Sequence, residues 1–209
     1  MKPYKIYCFD MDGTLLDSMG EWHISRVGLL KRFGCIVPEE RVPWILQHSL
    51  QEVLQEFGVD CEWDEVIRQY REEMHIRYLR GIPPKPGAPE FLRHLKQQGV
   101  RVCVGTATAQ RMARDALEKS GLLEYIEFVT DIEEIGCGKE NAEFFQRLAK
   151  RAGVRPDEIL MFEDALYAMQ GAKKAGCGVI AIEEATAAGE KEEICALADR
   201  YIHSYFELL

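Results

Sequence analysis

Short apolar runs punctuate the chain, and beyond residue 88 they alternate with segments of helical period. Ile6-Tyr7-Cys8-Phe9, Val100 to Val104, Ile159-Leu160-Met161-Phe162 and Val179-Ile180-Ala181-Ile182 are apolar almost throughout, and Glu127-Phe128-Val129 is a shorter run of the same kind. Runs of this length with no polar alternation predict strands buried on both faces. Between them the pattern predicts helices from about Pro89 to Gln98, stopped by Gly99, then over Gln110 to Lys119, over Asn141 to Ala152, and on to Ala175. Strands alternating with helices predict an α/β fold, a doubly wound parallel sheet of Rossmann-like form covered on both faces.

The stretch from 19 to 80 breaks this rhythm, because no strand pattern occurs in it and helical periodicity recurs. Leu50, Val53, Leu54 and Phe57 fall at i, i+3, i+4 and i+7. Ser49 and Glu52 match a capping box, and Gly58 stops the run. Trp63, Val66, Ile67, Tyr70 and Met74 repeat the stripe in the next helix, as core positions. The rigid, helix-breaking segment Gly81-Ile82-Pro83-Pro84-Lys85-Pro86-Gly87 reads as a return hinge. The expected organisation is a Rossmann-like core from 1–18 and 81–209, with a helical cap domain, 19–80, inserted into it.

A length of 209 residues suits one core domain plus that insertion, and 47% hydrophobic with 29% charged residues excludes disorder. The apolar runs are too short to cross a bilayer, and the start of the chain carries no signal-peptide pattern. Seven scattered cysteines without a Cys-x-x-Cys pair point to reduced thiols and a cytoplasmic setting. The net charge of −9 disfavours nucleic acid as a partner. The expected partner is a small anionic molecule, met by local cations, with the protein a monomer or weak dimer.

The chemistry begins where the first strand ends. Asp10-Met11-Asp12-Gly13-Thr14 sets two carboxylates two positions apart at that edge, which suits a nucleophile, Asp10, and an acid/base partner, Asp12, able to share a divalent cation. An EF-hand loop is disfavoured, since Leu15 stands at the sixth position where that loop needs Gly and the preceding residues read as strand. In a doubly wound sheet functional groups gather at the carboxyl ends of strands. Thr106 offers a hydroxyl there, and Thr108 is placed to cap the following helix. Lys139, in Gly136-Cys137-Gly138-Lys139, is no Walker lysine, because the glycine spacing is too short and Glu140 follows it. Glu163-Asp164 supplies hard oxygen ligands of the kind that suit magnesium.

Taken in order, these four groups resemble the motifs of the haloacid dehalogenase superfamily of phosphotransferases over nearly the whole chain, and the early helical insertion resembles its C1-cap subgroup, which includes phosphoglycolate phosphatase and β-phosphoglucomutase. The resemblance implies that Asp10 forms an aspartyl-phosphate and that Asp12 protonates the leaving oxygen and then activates water. It implies Mg2+ held by the side chains of Asp10 and Asp164, the backbone carbonyl of Asp12, and Glu163 directly or through water. Thr106, Ala107 and Lys139 occupy the phosphate-binding positions. Three departures from the pattern it resembles stand out: Ala107 where relatives often have Asn or Ser, Glu140-Asn141-Ala142-Glu143 in place of the usual Pro-x-Pro-Asp after the lysine, and Ala165 after Asp164 where Ser is frequent.

The expected function is a magnesium-dependent phosphatase acting on a small phosphorylated metabolite. A β-phosphoglucomutase-like phosphomutase and a non-catalytic phosphate-binding module are the alternatives. In the mutases that this chain resembles, a histidine stands twelve positions after the nucleophile; here that position is Trp22, with His23 one place later, which favours hydrolysis. Substrate choice is expected in the cap, where Arg26, Arg41, Gln47, His48 and Ser49 are polar candidates and His48 is the first choice.

Overall fold

The computed structural model describes residues 4–209, apart from the side chains of Leu46 and Gln47. The apolar runs form β1 (Ile6–Phe9), β2 (Arg101–Thr106), β3 (Phe128–Asp131), β4 (Ile159–Glu163) and β5 (Gly178–Ile182), joined by β6 (Arg200–Ile202), a short edge strand that the hydrophobic pattern did not announce. They make one parallel sheet in the order β3-β2-β1-β4-β5-β6. The chain therefore builds outward from β1 in one direction as far as β3 and then in the other from β4. That reversal puts β1 between β2 and β4 and leaves a crevice at their carboxyl ends.

The chain divides into two compact units, Met1–Asp17 with Ile82–Leu209, and Ser18–Gly81. The second contains α1 (Met19–Arg32), α2 (Val42–Gln47), α3 (Leu50–Glu56) and α4 (Trp63–Arg80) around Leu29, Leu30, Ile45, Val53, Leu54 and Val66. Ser49 and Glu52 close the expected capping box at α3 in both directions. Trp63 departs from the expected stripe. It is the first residue of α4 and is exposed, because one turn earlier there is no helix for its ring to pack along. Trp22 lies in this unit's aromatic interior, edge-on to Tyr70 and Tyr78 at centroid distances of 5.2 and 6.4 Å.

In the sheet-bearing unit, α5 (Ala88–Gln97), α6 (Gln110–Lys119), α7 (Ile132–Ile135), α8 (Ala142–Ala152), α9 (Leu166–Ala175) and α10 (Lys191–Leu197) complete the alternation. Successive strand residues point to opposite faces, so β1 feeds two cores. Ile6 and Cys8 join Phe144, Phe145, Leu148, Met161 and Met169 on one side. Phe9 stacks on Phe162 at 4.3 Å on the other, where Phe91 and Tyr205 complete an aromatic cluster. Gly13 adopts φ 80°, a left-handed turn costly to side-chain-bearing residues, and it directs the chain sharply away from the strand end.

Phe144 is fully buried beneath the sheet and sits edge-on to Phe145. Phe144→Ala is expected to cost about 3–5 kcal/mol of unfolding free energy, as truncation of a core phenylalanine leaves a cavity that the sheet cannot collapse into. Urea unfolding of the two proteins measures it.

Candidate active site

Three adjacent strand ends and one loop bring the expected groups together. Asp10 follows β1 and continues its ladder: its backbone N–H donates to the Phe162 carbonyl at 3.0 Å, fixing it beside β4. Glu163 is the last residue of β4, and Asp164 is next. Lys139 reaches in from the loop ahead of α8. Its Nζ lies 2.5 Å from Asp10 Oδ1 and 2.6 Å from Glu163 Oε2, with only 2% of its side chain exposed.

Burial makes this cluster electrostatically demanding. It pushes the Asp10 carboxyl up to about 8; Lys139 pulls the other way, while Glu163 and Asp12 add to the rise. Asp164 is likewise pushed well up by burial, then by Glu163 and Asp10, against the Thr14 hydrogen bond. Burial also opposes the charge on Lys139, but the Asp10 and Glu163 carboxylates outweigh it and hold the ammonium well above its ordinary range. A single buried cation facing several carboxylates leaves anionic charge in excess.

That excess suits a second, divalent cation. Asp10, Glu163 and Asp164 each offer a ligand atom, and these atoms lie within 4.8 Å of one another. Glu163 Oε2 is buried, makes its ion pair with Lys139, and has no hydrogen-bond partner. Hard carboxylate oxygens with spare lone pairs match the preferences of magnesium-like ions. The side chain of Asp12 lies outside this trio and is engaged elsewhere, by the Thr108 hydroxyl at 2.7 Å.

Thr106 ends β2, fully buried, and its Oγ1 accepts from the Thr108 N–H at 3.0 Å. Thr108 does not cap α6 as expected. Ala109 is the N-cap, and the Gln110 N–H that a cap would satisfy is taken by Asp131 Oδ2 at 2.6 Å. Asp131, at the end of β3, also caps α7 through the Glu134 N–H. Sequence reading overlooked Asp131 because its contribution depends on β2–β3 pairing, which sets it opposite Thr106.

Thr14 and Tyr205 were overlooked too. The Thr14 hydroxyl donates to Asp164 Oδ1 at 2.7 Å, and the Tyr205 hydroxyl donates to the Thr14 carbonyl at 3.2 Å. Thr14 was legible as the polar end of the Asp-Met-Asp-Gly-Thr run, whereas no local signal marks Tyr205, 191 positions away. Tyr167, exposed on the first turn of α9, lies within the field of Lys139, Glu163, Asp10 and Asp164.

Four of the five polar cap candidates make contacts within their own unit. His48 Nδ1 lies 2.8 Å from the Trp44 carbonyl and its ring stacks on Trp44 at 4.0 Å. Ser49 uses its hydroxyl in the capping box, Arg41 pairs with Glu56, and Arg26 donates to the Ile45 carbonyl. The side chain of Gln47 lies outside the described residues.

The chain is similar in sequence to known phosphatases. Hexitol phosphatase A of Escherichia coli is 30% identical over 182 residues, covering 85% of this chain and 82% of its own length. A phosphorylated carbohydrates phosphatase of Thermotoga maritima is 24% identical over 172 residues, covering 80% of each chain. The crystal structure of a β-phosphoglucomutase from Clostridium difficile superimposes with a TM-score of 0.72 at 18% identity, over 99% of this chain and 93% of its own, a likeness of fold. The family model for haloacid dehalogenase-like hydrolases matches residues 4–176. With that match spanning every group gathered at the strand ends, the chain belongs to the haloacid dehalogenase-like hydrolase family.

Proposed function

We propose that this protein is a magnesium-dependent, cytoplasmic phosphatase that hydrolyses monoesters of small polyhydroxylated metabolites through an aspartyl-phosphate. The observation that carries the reading is the buried Lys139 bridging Asp10 and Glu163 beside Asp164. A carboxylate held against an ammonium, in a site with further oxygen ligands and a hydroxyl, is arranged to attack phosphorus while the surrounding charge is balanced. The relatives named for hexitol phosphate and phosphorylated carbohydrates support the substrate class.

In the proposed first half-reaction an Asp10 carboxylate oxygen bonds to phosphorus as the ester P–O bond breaks, and the Asp12 carboxyl gives its proton to the departing oxygen. In the second, water attacks the same phosphorus, Asp12 takes the water proton, and the bond to Asp10 breaks to release phosphate. Thr106 donates to a phosphoryl oxygen, and Lys139 neutralises both the nucleophile and the transferred group. Asp10, Asp164, the Asp12 carbonyl and Glu163 would hold Mg2+, which supplies charge stabilisation at the phosphoryl oxygens when bound. Thr14 and Tyr205 keep Asp164 oriented for that task.

A phosphomutase would use the same aspartyl-phosphate, and a mutase of known structure shares the fold. The hydrolytic reading is favoured by Trp22, which occupies the position where those mutases carry a histidine and is packed among Tyr70 and Tyr78. Incubation with β-glucose 1-phosphate and catalytic glucose 1,6-bisphosphate is expected to release free phosphate faster than glucose 6-phosphate. The reverse order would establish the mutase. A panel of sugar phosphates, polyol phosphates, nucleotides, phosphoglycolate and pyrophosphate is expected to show its highest kcat/KM among the polyol and sugar monoesters.

Asp10→Asn is expected to lower turnover by about 10³-fold or more, since it removes the nucleophile. The same change relieves crowding. Because the folded-state value of Asp10 is raised from 3.8 to about 8, its contribution to stability is full below 3.8 and lost as pH climbs toward 8. The chelated wild type should therefore melt at progressively lower temperature across that window. Asp10→Asn should flatten the decline and melt higher at its alkaline end, by roughly 2–4 °C for each kcal/mol relieved, and added Mg2+ should narrow the gap by stabilising the wild type. Calorimetry with EDTA or Mg2+, paired with phosphate-release assays, tests both halves.

A further inference from the structure

The segment Thr106-Ala107-Thr108 joins the end of β2 to α6, and its second threonine is buried but serves no helix cap. Asp131 has taken the amide that a cap would satisfy, which leaves the Thr108 hydroxyl for another acceptor. That acceptor is Asp12 Oδ2, 2.7 Å away and 96 positions earlier in the chain. At the same time the Thr108 N–H donates to Thr106 Oγ1 at 3.0 Å. A hydroxyl that accepts through its lone pair keeps its own proton for a different acceptor. Both polar groups of Thr108 therefore act on groups assigned to the reaction, Thr106 and Asp12.

We propose that Thr108 is a positioning residue for the acid/base step: its hydroxyl anchors one oxygen of the Asp12 carboxylate, so that the proton exchanged with the leaving oxygen and with water is carried on the other. The inference rests on the aspartyl-phosphate reading given above. Asp12 stands on the loop after β1 and is only half-buried. Its side chain gains from an external anchor, because proton transfer requires the carboxyl within hydrogen-bond reach of the reacting oxygen, and small misplacements there are costly. The bond joins the loops that follow two neighbouring strands, β1 and β2, which pair in parallel register. Thr108 also turns the Thr106 hydroxyl, which links the orientation of a phosphate donor to that of the proton shuttle.

Thr108→Val preserves shape and removes the hydroxyl, whereas Thr108→Ser keeps it. For an alkyl ester such as glycerol phosphate, kcat/KM in Thr108→Val is expected to fall about ten- to a hundredfold, a fraction of a full general acid's contribution. The p-nitrophenyl ester, whose leaving group departs without a proton, should lose less than about threefold, and Thr108→Ser should recover most of the alkyl-ester rate. In an Asp12→Asn background, assayed at high enzyme concentration, Thr108→Val should add no further loss, because it acts through that side chain. Equal losses on both esters, an unchanged alkyl-ester rate, or a full additional loss in Asp12→Asn would overturn the inference. Should Thr108→Val lack a cooperative thermal transition, Thr108→Ala read against Thr108→Ser decides by the same ester ratio. A wild type that hydrolyses no phosphoester would overturn the phosphatase reading instead, so the two failures are distinct.

Discussion

The ion pairs of Lys139 with Asp10 and Glu163 set the terms for the rest of the sheet-bearing unit. Taking carboxylates out of water is expensive, and their mutual repulsion grows as the surrounding dielectric falls. One ammonium, buried to 2% exposure, tempers this without cancelling it. Asp10 and Asp164 consequently remain pushed toward their protonated forms. The site is held in a state that the fold alone would not choose, and the surrounding packing must supply the difference.

That packing is anchored in the reversal of strand order at β1. Three neighbouring parallel strands end at one level, so Asp10, Thr106 and Glu163 arrive together without any loop having to find its way. Behind them Phe9, Phe91, Phe162 and Tyr205 pack as one aromatic block on one face. Tyr205 extends this rigidity into the site, since its hydroxyl holds the Thr14 carbonyl and Thr14 in turn holds Asp164. A change deep in the aromatic block thus reaches a metal-ligand candidate through two hydrogen bonds. Asp131 does similar service on the other side, tying the starts of α6 and α7 to the end of β3.

What could be read from the sequence was what is local in it. Five strands announced themselves because each is a short apolar run, and β6 did not because Arg200-Tyr201-Ile202 is an edge strand with little apolar content. The capping box at Ser49 was legible since its two partners are three residues apart. Asp10, Thr106, Lys139, Glu163 and Asp164 converge in space as their order implied. Thr108, Asp131 and Tyr205 were misread or missed for one reason: what each does depends on a partner supplied by another strand or a distant turn. Trp63 shows the same limit, as helical period places a residue on a face but not whether anything lies opposite.

The departures from the family pattern argue that several of these positions are asked for backbone, not side chain. Ala165, where a serine is frequent, costs little here because Glu163 Oε1 accepts from the backbone N–H groups of Asp164 and Ala165, both at 3.2 Å, and so needs no hydroxyl to orient it. After Lys139 the prolines of relatives are absent, yet the Asn141 N–H donates to the Gly138 carbonyl at 3.2 Å and Asn141 Nδ2 to Glu140 Oε1 at 2.8 Å. These bonds brace the turn that proline rings would otherwise stiffen. Ala107 leaves room between two threonines whose polar groups are already committed, to each other and to Asp12. At Ala165 and in the turn after Gly138 the holding bonds come from main-chain N–H groups, which every residue except proline supplies in the same place.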